Sequence, residues 1–205
     1  MSFLSIDQST SSTTVFIFNN DLKVINKISK KHEQFYTENG YIEHDADEIY
    51  NNLISIIKDL KKNLNEIPEF ISITNQRETF VVFDRVTGKP LRKAIVWQCR
   101  RGQKLCNELS KEDRNIKLIN SKTGLKLDTY FPASKLKWLF DNEEGIKNKV
   151  EKGDALFGTM DTYLLYRLTN GKEYSTDVTN ASRTLLFNCD NLNWDDDLKK
   201  LFGLF

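Results

Sequence analysis

Residues 2–28 read SFLSIDQSTSSTTVFIFNNDLKVINKI, and their pattern decides the fold. Three runs rich in apolar and β-branched residues are predicted as strands, at 2–6, 13–18 and 22–28. The polar run QSTSS at 8–12 and the Asn-Asn-Asp run at 19–21 are typical turn sequences between them. Because the connections are short, the three strands are expected to form an antiparallel meander.

A helix is predicted to follow, with Asp45 as its N-cap and Glu48 three positions later, as in a capping box. The apolar residues that come next fall on one helical face: Ile49, Leu53, Ile56, Ile57, Leu60 and Leu64. Pro68 ends this pattern, and residues 69–74, EFISIT, are predicted as a buried strand. One strand–helix–strand passage after a meander indicates a mixed α/β domain.

The remaining sequence is richer in helices than in strands. Two more strands are predicted, at 79–84 and 94–98. Helices are predicted at 100–109, 114–121, 133–142, 160–168 and 194–202. Residues 175–183 are polar and are predicted to form a structural loop. No repeat and no linker interrupts the pattern, so the whole chain is interpreted as one domain.

The composition excludes several functional classes. The 205 residues carry 30 Lys and Arg against 29 Asp and Glu, a net charge of +1, which provides no long-range field toward nucleic acid or a membrane surface. No apolar run approaches the ~18 residues that suggest a transmembrane helix, and the N-terminus lacks the features of a secretory signal. Three irregularly spaced cysteines fit neither a disulfide framework nor a zinc site. A cytoplasmic protein with reduced thiols is therefore expected.

The first predicted turn carries groups that suit phosphate and a cation. Asp7 follows the first strand, and hydroxyl side chains continue from Ser9 to Thr14. Backbone amides and hydroxyls in such a turn can cradle phosphate oxygens, and a neighbouring carboxylate can hold hydrated Mg²⁺. The spacing is not that of a Walker A loop. From these residues alone, a polar hairpin turn is the favoured interpretation.

A second group of polar residues follows the strand predicted at 69–74. Arg77 can donate to two oxygens and Glu78 can accept from two hydroxyls, which suits a ligand rich in hydroxyl groups. The end of a strand is also where open α/β sheets bind ligands. From these residues alone, an exposed ion pair is the simpler interpretation. Trp97 and Tyr130 could equally be a core tryptophan and a loop anchor.

Several segments, in the same order along the chain, resemble the FGGY family of carbohydrate kinases. They are IDQSTSSTT (6–14), GYIEHDADEIY (40–50), ITNQRETFVVFDRVTGKPLRKAIVWQCRR (73–101), LDTYFPASKLKWLFDN (127–142), FGTMDTYLLYRLTNGK (157–172), STDVTNASRTLLFN (175–188) and NWDDDLKKLFG (193–203). They cover nearly the whole chain and most resemble the glycerol-kinase-like branch. The resemblance implies an α/β, ribonuclease-H-like domain of the actin/hexokinase type, with a mixed sheet flanked by helices.

The resemblance also implies a role for particular residues. The implied substrate-binding residues are Arg77, Glu78, Trp97 and Tyr130. The implied ligands of the ATP phosphates are Thr10, Ser11 and Ser12, and Asp7 is implied to hold Mg²⁺ through water. Two positions depart from the family pattern: Ser9 stands where Gly is usual, and Thr14 stands where a basic residue is usual.

The expected reaction is the ATP-dependent phosphorylation of a polyol, with glycerol to glycerol 3-phosphate as the leading case. The resemblance implies that residues 1–205 are most of the N-terminal domain, and that the catalytic Asp and the C-terminal nucleotide-binding domain lie beyond Phe205. This chain is therefore expected to be inactive alone, and the full-length enzyme to be a homo-oligomer. The alternatives are a kinase for another sugar, such as a xylulose-like one, and a non-catalytic sugar-binding module. A ribonuclease-H-like nuclease is disfavoured because the sequence has a near-neutral pI and no basic patch.

Overall fold

The structure, a computed structural model, describes residues 2–37, 39–62 and 68–204. These residues form two compact units: the first lies within 1–35 and 44–76, the second within 36–43 and 77–205. The strands are β1 (Ser2–Gln8), β2 (Ser12–Asn19), β3 (Val24–Lys31), β4 (Gln34–Tyr36), β5 (Ile42–His44), β6 (Phe70–Asn75), β7 (Phe80–Asp84), β8 (Ala94–Ile95), β9 (Ala155–Thr159), β10 (Phe187–Asn188) and β11 (Asn193–Trp194). The helices are α1 (Ala46–Lys61), α2 (Gln103–Leu109), α3 (Asp113–Thr123), α4 (Pro132–Asn142), α5 (Ile146–Lys152), α6 (Met160–Leu168), α7 (Val178–Ala181) and α8 (Asp196–Leu201).

The first unit confirms the predicted meander. Its sheet has the order β3-β2-β1-β6, in which β1 and β2, and β2 and β3, are antiparallel, whereas β1 and β6 are parallel. Helix α1 lies between β5 and β6 in the sequence and packs on this sheet through contacts with β2 and β3. The sheet is thus mixed and covered by a helix, as the sequence predicted.

Helix α1 begins where the capping residue predicts. Asp45 Oδ1 accepts hydrogen bonds from the backbone amides of Asp47, at 2.9 Å, and Glu48, at 3.1 Å. The Glu48 carboxylate accepts from the backbone amide of Glu33 at 3.2 Å and so ties the helix to the preceding segment. The apolar residues predicted on its face are buried at Ile49, Leu53, Ile56 and Leu60, and half-buried at Ile57. The remaining one, Leu64, lies outside the described residues.

The strand predicted at 69–74 exists as β6, but the prediction that it is buried is wrong. Phe70 is 62% exposed and Ile71 is 57% exposed. The strand is the last in the order of its sheet and pairs with β1. Because burial depends on which neighbours cover a strand, a short apolar run cannot by itself distinguish an edge strand from a central one.

In the second unit, β7 lies between β8 and β9 and is antiparallel to both. Helix α5 and the strands β4, β5, β9, β10 and β11 were not predicted. Gly158 weakens the strand signal of β9, and the structure requires a glycine there because a Cβ atom would lie 2.5 Å from the Thr162 side chain. The predicted strand at 94–98 is shorter than expected, so Trp97 lies in a turn after β8.

Two helices begin later than predicted, and one lies within a predicted loop. Helix α2 begins at Gln103, not at residue 100, because Gly102 adopts a left-handed backbone with φ of 84°. The predicted loop at 175–183 contains the short helix α7. Helix α8 begins after Asp195, whose carboxylate accepts from the Leu198 amide at 3.0 Å. Within the described residues, no helix combines the length and the apolar character that crossing a membrane requires.

Candidate functional site

The turn before β7 in the second unit holds Glu78 in an unusual conformation. Glu78 has a φ of 64°, and its side chain is 2% exposed. Positive φ is uncommon for a residue other than glycine and is often found at functional sites. Arg77, beside it, has an exposed side chain. The turn thus buries the carboxylate and presents the guanidinium to solvent.

The buried carboxylate is paired with Arg183, which sequence analysis did not identify. Arg183 Nε donates to Glu78 Oε1 at 2.6 Å. The Arg183 guanidinium also lies over the Phe131 ring, 4.9 Å from its centroid, and 5.8 Å from that of Tyr130. The segment at 175–183 is therefore more than a structural loop, because its last residue fixes a predicted site residue. The only signal in the sequence was a single arginine at the end of a segment that resembles the family.

Trp97 and Tyr130 form an aromatic pair next to this ion pair. Their ring centroids are 5.3 Å apart, and the ring planes are inclined by 52°. Trp97 is half-buried, and its backbone amide donates to Thr79 Oγ1 at 3.1 Å. Tyr130 is 37% exposed, and its backbone amide donates to Asp128 Oδ1 at 2.7 Å. Partly exposed rings held at their backbones offer apolar faces to a ligand.

A buried lysine binds the backbone of both aromatic residues. Lys135, on α4, is fully buried. Its Nζ donates to three carbonyl oxygens, those of Val96 at 3.3 Å, Trp97 at 3.2 Å and Tyr130 at 3.1 Å. Burial lowers the pKa of Lys135 to about 7, and nearby acidic groups, including Cys99 and Glu78, oppose that shift. Sequence analysis missed this residue because it stands within a helical pattern that reads as amphipathic.

The second unit therefore brings together three of the four predicted substrate residues. Glu78 contacts Arg183, Arg183 contacts Tyr130, and Tyr130 contacts Trp97, while Arg77 is the exposed neighbour of Glu78. A carboxylate that accepts, a guanidinium that donates and two apolar ring faces suit a small molecule with several hydroxyl groups.

The second unit also contains a cavity of about 330 Å³ that is lined by other residues. Its lining is mostly apolar and includes Phe80, Leu136 and Phe157, but none of the four predicted substrate residues. An apolar lining offers little to a hydroxyl-rich ligand, because each hydroxyl would lose its hydrogen bonds with water. The polar turn is therefore the better candidate for such a ligand.

In the first unit, the predicted phosphate loop is a tight turn between β1 and β2. The Ser9 amide donates to the Ser12 carbonyl at 2.9 Å, and Ser9 Oγ donates to Asp7 Oδ1 at 3.1 Å. Ser11 is exposed, and Thr10 and Ser12 are half-buried. The hydroxyl groups of the turn therefore lie at or near the surface, where an anion could reach them.

Thr14, which stands where the family usually has a basic residue, is turned into the sheet of the first unit. Its Oγ1 lies 2.9 Å from the Oγ of Ser29 on β3, and the residue is 9% exposed. The hydroxyl groups of Thr14 and Ser29 thus stand where the family usually has a basic side chain. They supply no positive charge to the turn between β1 and β2.

His32 binds this turn, and His44 packs against His32. His32 Nε2 donates to the Thr10 carbonyl oxygen at 2.8 Å, and the His32 backbone amide donates to the Ser11 carbonyl oxygen at 3.3 Å. The His44 ring packs edge-on against His32, with centroids 4.9 Å apart, and its Nδ1 lies 3.1 Å from Gln76 Nε2. Because an amide nitrogen only donates, His44 Nδ1 is the acceptor, so this ring is neutral.

The buried histidines make stability depend on pH. Burial lowers the pKa of His32, and burial together with the neighbouring His32 lowers the pKa of His44 to about 4. The unfolded chain then binds more protons than the folded chain between about pH 4 and the ordinary histidine value near 6.5. We therefore expect the free energy of unfolding to fall as the pH decreases through this window, with His44 contributing ~2 kcal/mol between pH 7.5 and 5.

Urea unfolding of the chain at both pH values measures this effect. The His44→Gln variant keeps a group that can accept from Gln76 but does not titrate, so its stability should fall less on acidification. An equal loss of stability in the two proteins would show that His44 does not titrate on unfolding.

Comparisons with known proteins match nearly the whole chain. The N-terminal domain model of the FGGY family of carbohydrate kinases matches residues 2–205. Glycerol kinase 2 of Thermotoga maritima is 45% identical over 204 residues, which are 98% of this chain and 41% of that protein. The glycerol kinase of Oceanobacillus iheyensis is 46% identical over 205 residues, 98% of this chain and 41% of that protein.

Solved structures show the same fold. The crystal structure of Plasmodium falciparum glycerol kinase with ADP superposes with a TM-score of 0.91 at 44% identity, covering 98% of this chain and 40% of that one. A gluconate kinase from Lactobacillus acidophilus has a TM-score of 0.87 at 22% identity, covering 100% and 40%, a likeness of fold alone. These neighbours confirm the predicted α/β fold of the actin/hexokinase type.

The chain spans about two fifths of the length of the relatives it matches. Within that span, the match to the family's N-terminal domain covers residues 2–205. The chain therefore belongs to the FGGY family of carbohydrate kinases.

Proposed function

We propose that this chain is the polyol-binding part of an ATP-dependent kinase that converts glycerol to glycerol 3-phosphate. Relatives 45% and 46% identical over 98% of the chain are named glycerol kinases, which supports glycerol over a longer sugar. The observation that carries the proposal is the position of Glu78. Its buried carboxylate is held by Arg183 beside the Trp97–Tyr130 pair.

Each side chain has a distinct task in this proposal. Glu78 accepts hydrogen bonds from substrate hydroxyls, while Arg77 donates to their oxygens, so that a ligand lacking those groups leaves buried partners unsatisfied. Trp97 covers the carbon backbone of the polyol. The Tyr130 hydroxyl contacts the substrate from the other side of the pair. These groups orient one terminal hydroxyl and exclude water from it, the principal contributions that a phosphoryl-transfer enzyme makes.

The turn between β1 and β2 is proposed to bind the nucleotide. Thr10, Ser11 and Ser12 offer hydroxyl groups and backbone amides to the ATP phosphates. Asp7 fits a magnesium ion held through water, because it is a half-buried carboxylate beside this turn and Mg²⁺ prefers oxygen ligands while keeping several of its waters. When bound, Mg²⁺ would neutralise part of the phosphate charge.

Purified full-length enzyme is expected to phosphorylate glycerol in the presence of ATP and Mg²⁺, whereas residues 1–205 alone are expected to show no turnover. Phosphoryl transfer needs both substrates positioned in one closed site, and this chain spans about two fifths of its relatives. A coupled ADP-release assay with glycerol, xylulose or gluconate, each supplied separately, tests both expectations. Turnover by residues 1–205, or a higher kcat/KM for one of the two sugars than for glycerol, would contradict the proposal.

A further inference from the structure

Lys135 is a polar residue in an apolar position. On the same helix, α4, the buried residues include Ala133, Leu136, Leu139 and Phe140. A charged group among such neighbours loses its hydration, which opposes folding unless its donors find partners. Methionine has nearly the length of lysine and would fill the same space without that loss. Packing alone therefore gives no reason for a lysine here.

The partners of Lys135 suggest the reason. An ammonium group has three donors, and three carbonyl oxygens lie 3.1 to 3.3 Å from Nζ. Two of these carbonyls belong to Trp97 and Tyr130, the residues whose rings form the aromatic pair. Trp97 lies in the turn after β8, and Tyr130 lies in the turn before α4, so one atom joins two separate segments at the site.

We propose that Lys135 is a positioning residue of the polyol site, whose ammonium group sets the spacing of the Trp97 and Tyr130 rings through their backbone carbonyls. The proposal rests on the function proposed above. Without this group, each turn keeps its own backbone hydrogen bond, from Trp97 to Thr79 and from Tyr130 to Asp128, but loses the link to the other. The two rings can then move relative to each other, and the polyol loses a preorganised binding surface between Trp97 and Tyr130. The affinity for ATP is expected to stay unchanged.

The test uses Lys135→Met in the full-length enzyme, with Lys122→Met as the matched control. Lys122, on α3, also binds through its ammonium group, but its partners are Asp195 at 2.8 Å and Asp197 at 2.7 Å. Lys135→Met should raise the KM for glycerol roughly 10- to 100-fold and leave the KM for ATP within about twofold. Lys122→Met should leave both values within about twofold of wild type.

A double-mutant cycle separates positioning from general stability. If Lys135 acts through the aromatic pair, adding Lys135→Met to Tyr130→Leu should raise the glycerol KM little further, because Tyr130→Leu has already removed the pair. Fully multiplicative effects, or an unchanged glycerol KM in Lys135→Met, would overturn the proposal. If Lys135→Met does not fold, Lys135→Gln, which keeps two donors, takes its place. Failure of both variants to fold, while Lys122→Met folds, would also overturn the proposal. Lys135 would then be needed to stabilise the fold and not to position the Trp97 and Tyr130 rings.

The wild-type enzyme provides the reference for the function itself. If wild type does not phosphorylate glycerol, the proposed function fails, whatever the variants do. If wild type is active and Lys135→Met has the wild-type glycerol KM, only the role of Lys135 fails.

Discussion

Replacing Glu78 with alanine in the full-length enzyme is expected to lower kcat/KM for glycerol by roughly ten- to several-hundred-fold. The substitution removes an acceptor that is 2% exposed and leaves both Arg183 Nε and the proposed substrate hydroxyls without it. Each buried polar group left unsatisfied costs about 1–3 kcal/mol, and more when it is charged. Arg77→Ala, which removes an exposed donor from the same turn, is expected to act in the same direction with a smaller effect.

The control for this prediction is Thr10→Ala in the turn between β1 and β2. It is expected to raise the KM for ATP and to leave the KM for glycerol nearly unchanged, because the hydroxyl is proposed to bind phosphate. Steady-state kinetics with each substrate varied in turn measure the separation. If Glu78→Ala altered only the dependence on ATP, the assignment of this turn to the polyol would be wrong.

Replacing Arg183 with methionine is expected to lower both the free energy of unfolding and the activity with glycerol. Removing one partner of a buried ion pair leaves an uncompensated charge, which costs about 3–5 kcal/mol when both groups are buried. Since the Arg183 side chain is 31% exposed, the lower end of that range, about 3 kcal/mol, is expected. The activity should also fall, because the Glu78 carboxylate loses the group that orients it.

The double variant Glu78→Gln/Arg183→Met distinguishes these two effects. With no charge left to compensate, it should recover most of the lost stability but none of the activity with glycerol. Chemical denaturation and glycerol kinetics on the two single variants and the double variant complete the measurement. A double variant no more stable than Arg183→Met would show that the buried charge is not what destabilises the single variant.

Much of the fold could be predicted because its signals are local. The meander follows from β-branched runs separated by turn formers at 8–12 and 19–21. Helix α1 follows from a capping aspartate and an apolar face with helical spacing. Asp45 needs only the amides of the next turn, so its role is readable without any knowledge of the tertiary structure.

The candidate site was predicted in part, through a resemblance and not through a local physical signal. Glu78, Trp97 and Tyr130 were identified by segments that resemble a known family, and the structure places them in one chain of contacts. The sequence by itself thus determined the strand order of the meander, the capped helix and the residue types of the candidate site.

Only the tertiary structure decided which distant residues support that site and which strand stays exposed. Arg183 reaches Glu78 across 105 positions of the sequence, and Lys135 reaches Val96 across 39, so no local pattern could indicate either contact. The exposure of β6 likewise depends on its place at the edge of the sheet. Hydrogen bonds and burial between segments far apart in sequence depend on how the whole chain packs, whereas capping, turn formation and helical spacing act within a few residues.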